Sequence, residues 1–215
     1  MSILVNAGIT RVGASRVVRN TYSLLSTTLL FTALVSWATM DVNLGLPTYI
    51  GALIGSFVLL FVIGRLRNSA MGLVALFGFA ALEGVALGPT LSHYLKGPGG
   101  NEIVTEATFL TAAAFVGLSA YVHITRKDFS AWAGMLMTGL VVVVVASLIG
   151  FFIPSSAYQL MVASLSAIVF SGYILFDTSR LILGGETNYI MATLSLYLDV
   201  LNLFLALLRL LGGRR

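Results

Sequence analysis

Uncharged stretches of spanning length, separated by short polar breaks, make up almost the whole chain. No charge occurs from Asn20 to Met40, from Val42 to Gly64, or anywhere between Phe129 and Phe176. A helix that crosses a bilayer needs about 20 predominantly apolar residues. The last of these stretches is long enough for two crossings, and Pro154-Ser155-Ser156 in its middle supplies the turn. The pattern predicts an all-α, polytopic membrane protein with spans at 21–40, 46–64, 70–94, 105–124, 130–153, 159–182 and 189–211. The Val141–Val145 run would suggest a strand in a water-soluble chain. Inside a longer uncharged segment every backbone group has to be satisfied locally, so a helix is expected there. Residues 1–20 read as a cytoplasmic tail and 21–215 as the transmembrane domain, with the longest polar loop from Lys96 to Thr105.

Composition agrees: 58% of residues are hydrophobic and 9% charged, against about 25% charged in an ordinary soluble domain. With no cysteine there is neither a disulfide framework nor a thiolate nucleophile or ligand. The net charge of +4 is not read as a nucleic-acid signal, because basic residues of a membrane protein collect in cytoplasmic loops. With the N-terminus inside, the cytoplasmic segments hold Arg11, Arg16, Arg19, Arg65, Arg67, Arg126, Lys127 and Arg180; the other side holds Lys96, Arg209, Arg214 and Arg215. That bias predicts an N-in orientation in an inner (plasma) membrane. Residues 1–20 look like a signal-peptide n-region, but the run behind them is of spanning length and lacks a small-residue cleavage site, so a retained first helix is expected.

Within the spans, Ala80, Gly84 and Gly88 recur every four residues, a small-residue face of the kind that packs helices closely in lipid. Three of the eight acids lie inside spans: Glu83, Asp177 and Asp199. An ionised acid at the bilayer centre costs about 2.5–3.5 kcal/mol or more on insertion scales, so each needs a partner, a wet cavity or a proton. Spans six and seven are joined by the short Gly184-Gly185-Glu186-Thr187-Asn188 loop, which makes them antiparallel neighbours. Asp177 and Asp199 stand at somewhat different depths, and modest tilt would let them meet. Two carboxyls in contact at low dielectric cannot both ionise cheaply, so such a pair is expected to share one proton. A pair of this kind can sense pH, gate a pore, or bind a divalent cation when deprotonated, and carboxylate oxygens suit Ca²⁺.

Other readings stand beside these. Asp177 has Arg180 one turn on, and Arg67 near the same face, as ion-pair partners. Asn202 and Ser195 share the helix face of Asp199 and could hydrogen-bond it. Glu83 has no charged neighbour in its own helix, and is either structural or part of an ion path. His93 and His123 fall at span ends, where an interfacial His is ordinary, and Tyr94, Tyr121 and Trp132 read as aromatic belt. No phosphate loop, zinc-protease helix or nucleophile elbow occurs. No catalytic residue is assigned, the chain is not read as an enzyme, and no resident cofactor is expected beyond Ca²⁺ as a bound or transported ion.

The stretches Ala86-Leu87-Gly88-Pro89 with Ser92-His93-Tyr94, Tyr173-Ile174-Leu175-Phe176-Asp177, and Ser195-Leu196-Tyr197-Leu198-Asp199 with Asn202-Leu203-Phe204 resemble the Bax inhibitor-1 family along nearly the whole chain. Arg19-Asn20-Thr21-Tyr22, Thr125-Arg126-Lys127-Asp128 and Gly184-Gly185-Glu186-Thr187-Asn188-Tyr189-Ile190 are most similar to its bacterial YccA branch. The resemblance implies seven helices, six wrapped around a central C-terminal one. It implies two activities. Some bacterial members are pH-sensitive Ca²⁺ leak channels gated by an aspartate pair, here Asp177 and Asp199, with an arginine linked to it that Arg67 matches. The YccA branch is a substrate and modulator of the membrane protease FtsH, which works with the HflKC complex and engages the short tail, here residues 1–20. That branch carries Glu and a small polar residue at the two aspartate positions. The loop motifs therefore point to YccA, the acid pair points to the channel, and Glu83 belongs to neither pattern.

Overall fold

The structure is a computed structural model that describes residues 2–42 and 45–213, with residues 2–14 and 46 given as backbone alone. Its helices are α1 (Ser2–Thr39), α2 (Leu46–Leu66), α3 (Ala70–Leu95), α4 (Gly100–Thr125), α5 (Ala133–Gly150, entered through a 3₁₀ turn at Ser130–Trp132), α6 (Ser156–Leu183) and α7 (Tyr189–Gly212). Among the described residues no strand occurs, and the Val141–Val145 run is helical as expected. All seven helices are long and apolar enough to cross a membrane.

The side-chain pattern of α1 shows which solvent surrounds it. Thr21, Leu25, Thr28, Thr32 and Ser36 recur at helical spacing and are buried, while Leu30, Leu34 and Trp37 on the other side are 66%, 64% and 74% exposed. A helix in water turns its apolar face inward. Here hydroxyls are inside and large hydrophobics outside, an arrangement stable only where the exterior is lipid.

Three boundaries differ from those read off the sequence. Residues 2–20 continue the helix of the first span, whose apolar part starts at Ser15. Charge marks where a helix leaves lipid, and Arg is itself a good helix former. The loop placed at Lys96–Thr105 closes sooner, because Gly99 adopts φ +66° and α4 starts at Gly100. A Cβ at Gly100 would strike the Tyr94 carbonyl, so only glycine permits this tight entry. Glu102 then falls in the first turn of α4, where the helix dipole favours an acid. Finally, α5 ends at Gly150 because the next helix reaches back to cap it: the Gln159 amide donates to the Gly150 carbonyl at 2.7 Å and the Tyr158 hydroxyl to that of Ala146 at 2.9 Å. The Gly150 carbonyl, in the last turn, otherwise receives only a long 3.4 Å bond from the Ile153 amide. Arg214 and Arg215 lie outside the described residues, as does the side chain of Arg11.

The helices fall into two compact units, Met1–His93 with Gly184–Tyr197 and Tyr94–Leu183 with Leu198–Arg215. In the first, α3 lies against α1 along its small-residue face. A Cβ on Gly84 would sit 2.7 Å from that of Val35, and one on Gly88 would sit 3.0 Å from the Ser36 carbonyl and meet the Thr39 hydroxyl. The close approach expected of Ala80, Gly84 and Gly88 is thus present. The start of α7 is fixed to the α2–α3 turn by Asn188. Its Oδ1 accepts from the Ile190 and Met191 amides, each at 3.0 Å, and its Nδ2 donates to the Arg67 carbonyl at 2.9 Å and to Asn68 Oδ1 at 2.8 Å. In the second unit α6 packs on α4 and α5, around Val143, Val169, Phe170, Ile174 and, from α7, Leu203. Burial is greatest along α7, 56% of its most apolar stretch against 17–39% in the other six.

Candidate functional site

The second unit brings Asp177 and Asp199 together. On α6, Phe170 and Ile174 face the core, and Asp177 follows one turn later with its side chain 13% exposed. On α7, Asp199, Leu203 and Ala206 recur at helical spacing and are all buried, Asp199 to 4% exposure. Helical periodicity on both elements therefore aims the two carboxyls inward, and they lie within hydrogen-bond reach of each other. Asp199 Oδ2 is buried and has no hydrogen-bond partner among the described residues. Asp177 has a second partner, Arg180, whose guanidinium stands 3.7 Å from Oδ1 and 5.5 Å from the centre of the Phe176 ring. Tyr173, one turn before Asp177, is within electrostatic reach of both acids.

A hydrogen bond between two carboxyls requires a proton in it. The arrangement thus accommodates one proton and one negative charge, with the charge balanced by Arg180 in the last turn of α6. The two alternatives read from the sequence for Asp177, an acid pair or an ion pair with Arg180, are realised together. Asn202 plays another part than expected: its side-chain amide donates to the Leu198 carbonyl of its own helix at 2.8 Å. Arg67 enters the described contacts through its backbone carbonyl, which Asn188 holds.

Among the described residues no three His, Asp or Glu side chains converge on a point that could hold a metal. Ca²⁺ takes six to eight oxygens, of which two carboxyls would supply a part. They can contribute two ligands to an ion in transit.

Glu83 stands elsewhere, in the first unit, and its company was not legible from its own helix. Ser56 of α2 hydrogen-bonds to it, and Tyr197 of α7 lies in its field. The Tyr197 hydroxyl is 2.7 Å from Thr32 Oγ1, which also donates to the Ala80 carbonyl at 3.0 Å. The signal available beforehand was the spacing of Thr21, Thr28, Thr32 and Ser36, which puts hydroxyls on one face of an otherwise apolar span.

Comparison with known proteins completes the description. Residues 14–215 match the family described as "Inhibitor of apoptosis-promoting Bax1". The chain is 46% identical over 199 residues to an uncharacterized membrane protein of Vibrio cholerae, covering 92% of this chain and 89% of that one. It is 42% identical over 197 residues to the Escherichia coli protein named modulator of FtsH protease YccA, covering 92% and 90%. A third relative, Bax inhibitor 1 of Schizosaccharomyces pombe, is 38% identical over 141 residues, or 65% and 51% of the two chains.

Proposed function

The chain belongs to the Bax inhibitor family of multi-pass membrane proteins, and we propose that within it this protein is a pH-sensitive cation leak, with Ca²⁺ as cargo and Asp177 and Asp199 as sensor and gate. The observation that carries this reading is the carboxyl–carboxyl contact between α6 and α7. While one proton lies between the acids, the contact is attractive and ties the helices together. When that proton leaves, two like charges face each other, worth about 4 kcal/mol of repulsion at 4 Å and an effective dielectric of 20. That exceeds thermal energy several-fold and is enough to separate the two helices. The same loss exposes carboxylate oxygens of the kind Ca²⁺ prefers. Arg180 holds Asp177 through the closed state, and the orientation is N-terminus inside, as the Lys and Arg distribution favours. The test is Ca²⁺ flux into proteoliposomes across a pH series. Asp199→Asn keeps the hydrogen bond but cannot titrate, so its flux is expected to lose pH dependence; a pH profile identical to that of the wild type overturns the assignment.

A second reading, a modulator or substrate of FtsH without transport, is favoured by the E. coli relative named for that role. The segment available to a cytosolic protease is the helical stretch ahead of Ser15, where the first apolar span begins. Deleting residues 2–14 is expected to abolish co-purification with FtsH and the HflKC complex, and unchanged association excludes this reading.

A further inference from the structure

The Asp177–Asp199 pair leaves unused a row of buried hydroxyls on α1. On the inward face of α1, Thr21, Thr28, Thr32 and Ser36 are at most 2% exposed. From Thr21 to Thr39 the helix rises roughly 27 Å at 1.5 Å per residue, close to the approximately 30 Å thickness of the hydrocarbon core. Hydroxyls in membrane helices ordinarily bond back to their own helix, as Thr28 does to the Leu24 and Leu25 carbonyls and Thr39 to that of Val35. Thr32 does not: it spans to the Tyr197 hydroxyl and the Ala80 carbonyl. Ser36 Oγ and Thr21 Oγ1, above and below it, are fully buried with no partner among the described residues. A buried hydroxyl without a protein partner is the group a bound water satisfies. In the same unit Ser56 of α2 hydrogen-bonds to Glu83 of α3, Glu83 lies within electrostatic reach of Tyr197, and Thr193 of α7 donates to the Thr21 carbonyl at 3.3 Å.

We propose that the first unit contains a proton pathway of its own, in which Glu83 binds and releases the proton and the hydroxyls of Thr32, Tyr197 and Ser36, joined by water, relay it. Each hydroxyl accepts one proton and donates another, and Glu83 alternates between carboxyl and carboxylate, so no group is consumed and charge is conserved along the path. The residues facing Glu83 suit this role. Among the described contacts Tyr197 of α7 lies within electrostatic reach of it, and α2 presents the Ser56 hydroxyl. No cation among the described contacts fixes it in the charged form. The T-shaped packing of Phe79 on Tyr197, at 5.6 Å between ring centres, holds the phenol in place. The proposal is independent of the gate at Asp177 and Asp199, which the second unit carries.

The test is proton entry into proteoliposomes loaded with a pH-sensitive dye, driven by a K⁺ diffusion potential with valinomycin and with Ca²⁺ absent. Wild-type protein is expected to acidify the lumen well above protein-free vesicles. Glu83→Gln and Tyr197→Phe are each expected to lower the rate at least tenfold, and Asp199→Asn is expected to leave it unchanged. Circular dichroism and monodispersity of each variant separate loss of the path from loss of the fold, and Ser36→Ala, a milder change, is expected to slow the rate two- to fivefold. Wild-type rates equal to empty vesicles overturn the proposal. So does a folded Glu83→Gln at the wild-type rate, or equal loss in Asp199→Asn, which would place the path through the aspartate pair. The Ca²⁺ assay on the same vesicles reads the gate separately.

Discussion

Asp177 stands between two partners of opposite kind: Arg180, 3.7 Å away on its own helix, and the carboxyl of Asp199 across the α6–α7 contact. An acid held by a cation on one side is kept in its charged form and so accepts a hydrogen bond from a second, protonated acid; the ion pair thereby organises the acid pair. Among the described residues no such cation is paired with Asp199, which is buried to 4% exposure. Replacing it by Asn removes one buried ionisable group while retaining a donor toward Asp177. The fold is expected to persist with unfolding midpoint unchanged or raised, whereas Asp199→Ala, which removes the buried partner of Asp177 across the α6–α7 contact, is expected to cost about 1–3 kcal/mol. In a chain of this size that corresponds to a midpoint lower by approximately 2–12 °C. Thermal unfolding of both variants in detergent, followed by tryptophan fluorescence, checks the difference.

Asn188 carries the geometry at the start of α7. Its side chain makes two bonds to the first-turn amides of the helix and two to the α2–α3 turn. Asn188→Ala loses both sets, and the capping part alone is worth about 1–2 kcal/mol. Asn188→Asp keeps the cap but replaces the donating amide with an acceptor facing the Arg67 carbonyl, so it is expected to recover only part of the loss. A midpoint for Asp equal to that of Ala would show that the cap contributes nothing.

Hydropathy made the number and order of helices legible because each span must satisfy its backbone internally. The ends were less legible where something other than hydropathy sets them. The Gly99 turn and the Gln159 and Tyr158 bonds onto α5 depend on single side chains and one left-handed residue. The aspartate pair was readable because two expensive acids flank a five-residue loop. The surroundings of Glu83 were not, since Ser56 and Tyr197 come from two other helices, and Tyr197 is held in turn by Thr32 of a third. Their convergence is a property of helix packing, which no local pattern on α3 encodes.

Glycine positions offer a paired test of that packing. A Cβ at Gly84 would press on the Val35 side chain and stand 2.9 Å from the Thr32 carbonyl, whereas one at Gly51 or Gly117 would meet nothing within 4 Å. Gly84→Ala is therefore expected to destabilise by about 1–3 kcal/mol through overpacking, and to disturb Thr32 and with it the Tyr197 bond. Gly117→Ala is expected to be neutral or to stabilise by about 0.5–1 kcal/mol, as alanine does in a helix interior. Equal midpoints for the two variants would contradict the close α1–α3 approach.

Asp128, between α4 and α5 and outside both spans, accepts the Ser130 amide on Oδ1 at 2.8 Å. Hydrogen bonds from the Ser130 side chain and backbone hold its carboxyl below the usual aspartate range. A group whose native value is depressed contributes stability that is complete above its unfolded value, near 3.9, and is lost as pH falls through the native one. The wild-type protein is thus expected to lose a small increment of stability below about pH 4 that Asp128→Ala lacks throughout. The two unfolding midpoints should differ at pH 7 and converge as the solution is acidified. A difference that is constant with pH would mean that Asp128 acts there through packing and not through its charge.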